Sequence, residues 1–246
     1  MLAAWFTSLT ANGTGILYQF DTPFPSDPNP AGPVPWIQAA FTDITPGTVL
    51  MTISNVNLTS GEFVKGNGNG ANGGLFFNLN PNDNPANLTF SLISSNGNFG
   101  TTISKGVNAF KADGDGKYDI QFDFSGNNFS TGSSIAYRIT GISGLTAADF
   151  AFLSAPAGGS GPFYAAAHVQ GLPASCGGDS TWIEPGRGPL SIIPVPEPVP
   201  GAFLALLLGL WGVWFMRVRS LRLRPARVSS ERLRVSPQER ISSRSR

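Results

Sequence analysis

Lys117–Phe124 reads KYDIQFDF. Tyr118, Ile120, Phe122 and Phe124 alternate strictly with Lys117, Asp119, Gln121 and Asp123. Side chains on a strand point to opposite faces at period two, so this stretch predicts a strand with one apolar and one polar face. A helix would scatter the four apolar residues around its axis.

The same period recurs along the chain. TVLMTISNVNL (Thr48–Leu58) sets Val49, Met51, Ile53 and Val56 on its apolar side, and Glu62–Lys65 continues it after a turn at Ser60-Gly61. GILYQF (Gly15–Phe20), LFFNL (Leu75–Leu79), LTFSLI (Leu88–Ile93), SIAYRITGI (Ser134–Ile142) and FYAAAHVQ (Phe163–Gln170) read as further short strands. Between them stand turn clusters: GNGNGANGG (Gly66–Gly74), PNDNP (Pro81–Pro85) and Ser94–Gly100. Leu145–Phe152 suits one helical turn with Thr146 as its N-cap. Asp21–Trp36 (DTPFPSDPNPAGPVPW) holds too many prolines for a helix or a central strand. It reads as an ordered extended loop pinned to the core by Phe24 and Trp36. About eight short strands with turns at roughly 8–15-residue spacing predict an all-β fold, a β-sandwich or jelly roll of antiparallel strands over residues 15–193. No Gly-x-Gly-x-x-Gly follows a strand into a helix, and no long amphipathic helix occurs, which argues against a doubly wound α/β enzyme.

Charged residues make up 13% of the 246-residue chain, against about 25% in ordinary soluble domains. With 30 Gly and 20 Pro, this suits an exported β protein. The net charge of +1 conceals a split. Through Met216 the chain has 6 basic and 13 acidic residues, and from Arg217 it has 10 Arg against 2 Glu. A basic tail beside an apolar run follows the positive-inside pattern of a membrane span, and it favours a membrane over nucleic acid as the tail's partner. Cys176 and His168 are each the only residue of their kind, so an intrachain disulfide, a multi-His zinc site and a Cys-x-x-Cys motif are all excluded.

Candidate chemistry is sparse. ADGDGKYDIQFDF (Ala112–Phe124) places Asp113, Asp115 and Asp119 on or beside a Gly-rich turn, where alternate carboxylates could converge on calcium. Lys117 stands where an EF-hand loop would have Asp or Asn, and the competing reading is a solvated β-turn. His168 could act as a base, but Ser160 in GGSGP lacks the Gly-x-Ser-x-Gly setting of a nucleophile, so a packed strand histidine is expected. Cys176 reads as a small residue in a turn. Asp119 and Asp123 share a strand face, the one hint of a hydrolase carboxylate pair. Asn12, Asn57, Asn87 and Asn128 head N-x-Ser/Thr triplets. Trp5, Trp36 and Trp182 could form a sugar-stacking platform or anchor the core.

The C-terminal end is more specific. Val199–Met216 is an 18-residue apolar run, about 27 Å long as a helix, enough for one thin membrane span. Trp211 and Trp214 lie toward its end, and Arg217, Arg219, Arg222 and Arg224 follow as a stop-transfer cluster. Pro196-Glu197-Pro198 precedes it. This triplet, helix and arginine cluster over residues 194–219 resembles the PEP-CTERM sorting signal of Gram-negative bacteria. The resemblance implies recognition by a membrane exosortase, cleavage near Pro196–Pro198, and delivery to the cell surface or an extracellular polysaccharide matrix. It carries no chemistry for the β domain. Residues 220–246 are Arg/Ser-rich without apolar periodicity and read as a disordered cytoplasmic tail. Residues 1–14 lack a basic segment before the short apolar patch Leu2–Phe6, and read as an incomplete start or the remnant of an export signal. The expected molecule is therefore a non-enzymatic surface or matrix protein. A carbohydrate-binding or calcium-dependent adhesion module is the first alternative, and an unrecognised hydrolase the second.

Overall fold

A computed structural model describes residues 13–65, 73–124 and 129–192. The chain divides into two contact units, Met1–Val195 and Pro196–Arg246, and all described residues belong to the first. Along these residues run β1 (Gly15–Phe20), β2 (Thr22–Pro23), β3 (Ile37–Thr45), β4 (Thr48–Asn55), β5 (Phe63–Val64), β6 (Leu75–Phe77) and β7 (Thr89–Ser95). They continue with β8 (Thr102–Ala112), β9 (Gly116–Asp123), β10 (Phe129–Ser130), β11 (Ser134–Thr140), β12 (Ala165–Gln170), β13 (Ser180–Glu184) and β14 (Leu190–Ile192). Single 3-10 turns occur at Pro85–Asn87, Ala147–Phe150 and Ala174–Cys176. The fold is all-β, as the alternating segments predict.

The strands form two antiparallel sheets. The first runs β14-β1-β3-β4-β11-β7. In the second, Ala167 of β12 pairs with both Ile183 and Leu75, and Val169 with both Thr181 and Val64. Thus β13 lies along one side of β12, while β6 and β5 share the other. Beyond them, β6 pairs with β9, β9 with β8, and β5 with β10. The inner faces meet through aromatic rings, which bury large areas each. Phe77 of the second sheet lies 6.1 Å from Tyr18 and 5.4 Å from Phe41 of the first, between ring centroids. Phe122 lies 5.6 Å from Phe90 and 5.7 Å from Tyr137. The Tyr18 hydroxyl donates to the Phe150 carbonyl at 2.6 Å, so its one polar atom is paired inside the core. Two sheets face to face with interdigitated rings make the body sandwich-like.

Two expectations about strand faces are corrected. Val49, Met51 and Ile53 are fully buried on β4, but Val56 lies past the strand end and is 39% exposed. Asn55 takes the next inward position. On β9, Ile120, Phe122 and Phe124 enter the main core, whereas Tyr118 joins a separate cluster. The change of cluster coincides with a bulge in the neighbouring strand. Lys105 pairs with Ile120 and Phe110 with Tyr118, so four residues of β8 stand against Asp119 alone. The polar side of β9 is also not a solvated one: Asp119, Gln121 and Asp123 are all buried.

That separate cluster lies on the outer face of the second sheet. Phe24, Phe76, Ala112, Tyr118, Ala166 and Trp182 form it, with Phe110 and Phe163 packed against it. The Pro-rich segment supplies the cover. Phe24 and Trp36 are buried, as expected of its anchors. Thr22–Pro23 goes further and pairs with β13, at a sheet edge where proline costs no ladder bond. Glu62, fully buried, fastens the far end of the segment. Its Oε1 accepts from the Ala31 amide at 2.7 Å, and its Oε2 from the Thr59 amide at 2.7 Å and hydroxyl at 2.9 Å.

Among the described residues no helix is long and apolar enough to cross a membrane. The expected span Val199–Met216, Pro196-Glu197-Pro198 and Arg217, Arg219, Arg222 and Arg224 lie outside the described residues, as do residues 1–12 and the tail.

Candidate functional site

A cleft of about 440 Å³ opens beside the outer cluster, lined by Asp27, Lys111, Asp113, Gly114, His168, Ser180, Thr181 and Trp182. Four parts of the chain meet there: the Pro-rich segment, the β8–β9 turn, β12 and β13. Each is held by identifiable bonds. Oδ2 of Asp27 accepts from the Trp182 amide at 2.8 Å, and the Thr181 hydroxyl donates to the Pro28 carbonyl at 2.6 Å. These two contacts staple the Pro-rich segment onto β13. His168 and Trp182 are cross-strand partners, and their rings stack at 4.6 Å and 20°. The other neighbours of the indole are Phe24 at 6.0 Å and Phe76 at 5.6 Å.

Electrostatics follow from this placement. Burial holds His168 below the ordinary imidazole pKa, against a smaller upward pull from Asp27, so the ring is neutral at physiological pH. The Gln170 side-chain nitrogen lies 3.2 Å from its Nδ1. An amide nitrogen can only donate, so Nδ1 accepts and Nε2 carries the proton. Asp113 sits above the usual carboxylate range because of its partial burial, then the charges of Asp27 and Asp115. Two carboxylates against one ammonium leave the lining mildly acidic.

The three aspartates expected beside calcium do not converge. Asp113 lines the cleft. Oδ1 of Asp115 accepts from the Ser160 amide at 2.5 Å. Both oxygens of Asp119 are occupied, Oδ1 by the Asn108 amide at 2.8 Å and Oδ2 by the Leu79 amide at 3.0 Å. Among the described residues no group of three His, Cys, Asp or Glu side chains is placed to hold a metal ion. Asp119 and Asp123, the carboxylates that share a strand face, are both buried.

The remaining single residues have structural places. Ser160 belongs to a segment that wraps Asp115. A Cβ at Gly159 would meet Oδ1 of Asp115 at 1.5 Å, and one at Gly161 its carbonyl oxygen at 1.9 Å, so the glycines permit backbone contact. Cys176 ends a 3-10 turn and packs half-buried against the main core. Trp36 and Trp182 are core anchors, and Trp5 and the triplet residues Asn12 and Asn128 lie outside the described residues. Sequence reasoning singled out His168, Asp113 and Trp182 separately. It missed Asp27, Lys111, Ser180 and Thr181, which no local motif marks.

A second carboxylate pair lies at the same edge. Burial, then the charge of Asp21, raises Glu184 to about 7. Oδ1 of Asp21 is itself tied to the Thr22 hydroxyl and the Gly186 amide, each at 3.0 Å.

Comparison with family models, with curated proteins and with solved structures returned no match.

Proposed function

We propose that this chain is an exported, non-enzymatic protein whose C-terminal signal is read by an exosortase. Its sandwich body would then serve a structural or adhesive role at the cell surface or in an extracellular polysaccharide matrix. One observation carries the reading: Pro196-Glu197-Pro198, the apolar run Val199–Met216 and Arg217, Arg219, Arg222 and Arg224 stand in that order behind an all-β body. In this reading the run spans the inner membrane once, with the arginines on the cytoplasmic side.

The test is expression of the gene with its upstream DNA in a host with and without an exosortase, followed by mass spectrometry of the product's C-terminus. The expected product in the exosortase host ends near Pro196–Pro198. A product that keeps Trp211 and Trp214 in that host overturns the proposal.

A further inference from the structure

We propose that the cleft between Asp27, Asp113, His168 and Trp182 binds a neutral, polyhydroxylated ligand, namely a sugar unit of a glycan. Its volume of about 440 Å³ falls within the range of about 300–1,000 Å³ typical of small-molecule sites. The decisive observation is Trp182. Trp182 lines the cleft, and its indole N–H has no hydrogen-bond partner among the described residues and is not one of the buried unpaired atoms, so it stays open to solvent. An indole N–H left free at the wall of a cleft is a donor that a bound molecule can use.

The rest of the lining narrows the class. Donors come from the Trp182 indole, the Lys111 ammonium and Nε2 of His168, and acceptors from the carboxylates of Asp27 and Asp113. Ser180 offers both. A hydroxyl group donates and accepts at once, so a ligand carrying several can satisfy both sets. An acidic ligand would face two carboxylates against one ammonium. A divalent cation lacks three grouped ligands here. An apolar ligand has no free ring to cover, because the indole is already packed against His168, Phe24 and Phe76. The inference extends the adhesive reading. It does not depend on sorting, because binding is measured on the unprocessed chain.

The test is calorimetric titration of the full-length chain in detergent micelles with maltohexaose, cellohexaose and mannohexaose, and with hexagalacturonate as the acidic control. At least one neutral hexaose is expected to bind, with hexagalacturonate at least tenfold weaker. Trp182→Phe removes the N–H but keeps a ring, and should weaken binding at least tenfold. Asp113→Asn, on an exposed turn whose left-handed φ of 46° asparagine tolerates, should do the same without disturbing the outer cluster. Absence of binding to all three neutral hexaoses overturns the proposal. So does equal binding of hexagalacturonate, or wild-type affinity in both variants.

Discussion

Glu184 shows how one side chain can set a pH response. Its folded pKa of about 7 lies above the unfolded value of 4.5, so the native state holds its proton more tightly. The associated stability is fully present below pH 4.5 and is lost as pH rises through 7. Because the group is half-buried, solvent screening reduces this to about 1 kcal/mol, or a shift of about 2–4 °C. Asp113, also raised, acts in the same direction from lower pH. His168, lowered, acts in the opposite one: its contribution is lost as pH falls below 6.5. Thermal melts of Glu184→Gln between pH 5 and 8 should therefore fall less with rising pH than those of the wild type. Parallel curves for the two proteins would remove Glu184 as the cause.

At the scale of elements, the β8 bulge lies beside the point where β9 passes from one core to the other. The Asp119 carboxylate holds the bulge through Asn108 and also reaches the amide of buried Leu79. Hydrogen bonds to a charged acceptor are worth about 1.5–3 kcal/mol each, so Asp119→Ala should destabilise by about 3 kcal/mol in urea unfolding. Asp119→Asn keeps one acceptor oxygen and should lose about half as much. A change under about 0.5 kcal/mol for the alanine variant contradicts the clamp. The same bulge blunts an edge strand of 11 residues against pairing with another chain.

Elements also differ in how plainly the sequence announces them. β4, β9 and β11 have bulky residues at period two and are legible. β3 has alanine at both an inward and an outward position, Ala39 and Ala40, which flattens its contrast behind a Pro-rich run. The bulge at Gly106–Ala109 interrupts β8, most of which is exposed or half-buried. In β13, Thr181, Trp182 and Ile183 are buried in succession, because the Pro-rich segment covers the face that would otherwise be wet. Two-sided burial erases the period.

For the whole molecule, the consequential feature is a second hydrophobic cluster outside the sandwich. It explains why the polar side of β9 is buried and why the Pro-rich segment is ordered. It also explains why His168, Asp27 and Asp113 meet, although 141 positions separate Asp27 from His168. Such a site depends on layering, which no local pattern encodes, whereas the C-terminal triplet, apolar run and arginines are contiguous and can be read directly.

Hydrogen exchange of Phe24→Ala against the wild type tests this layering most directly. Phe24 touches Phe163 at 4.5 Å and Trp182 at 6.0 Å in the outer cluster, and it is absent from the main core. Faster exchange should be confined to residues 21–36, β13 and the segment 154–163, with β1, β3, β4 and β11 protected as before. Uniformly faster exchange in both sheets, or no change in the covering segments, would contradict a separate outer core.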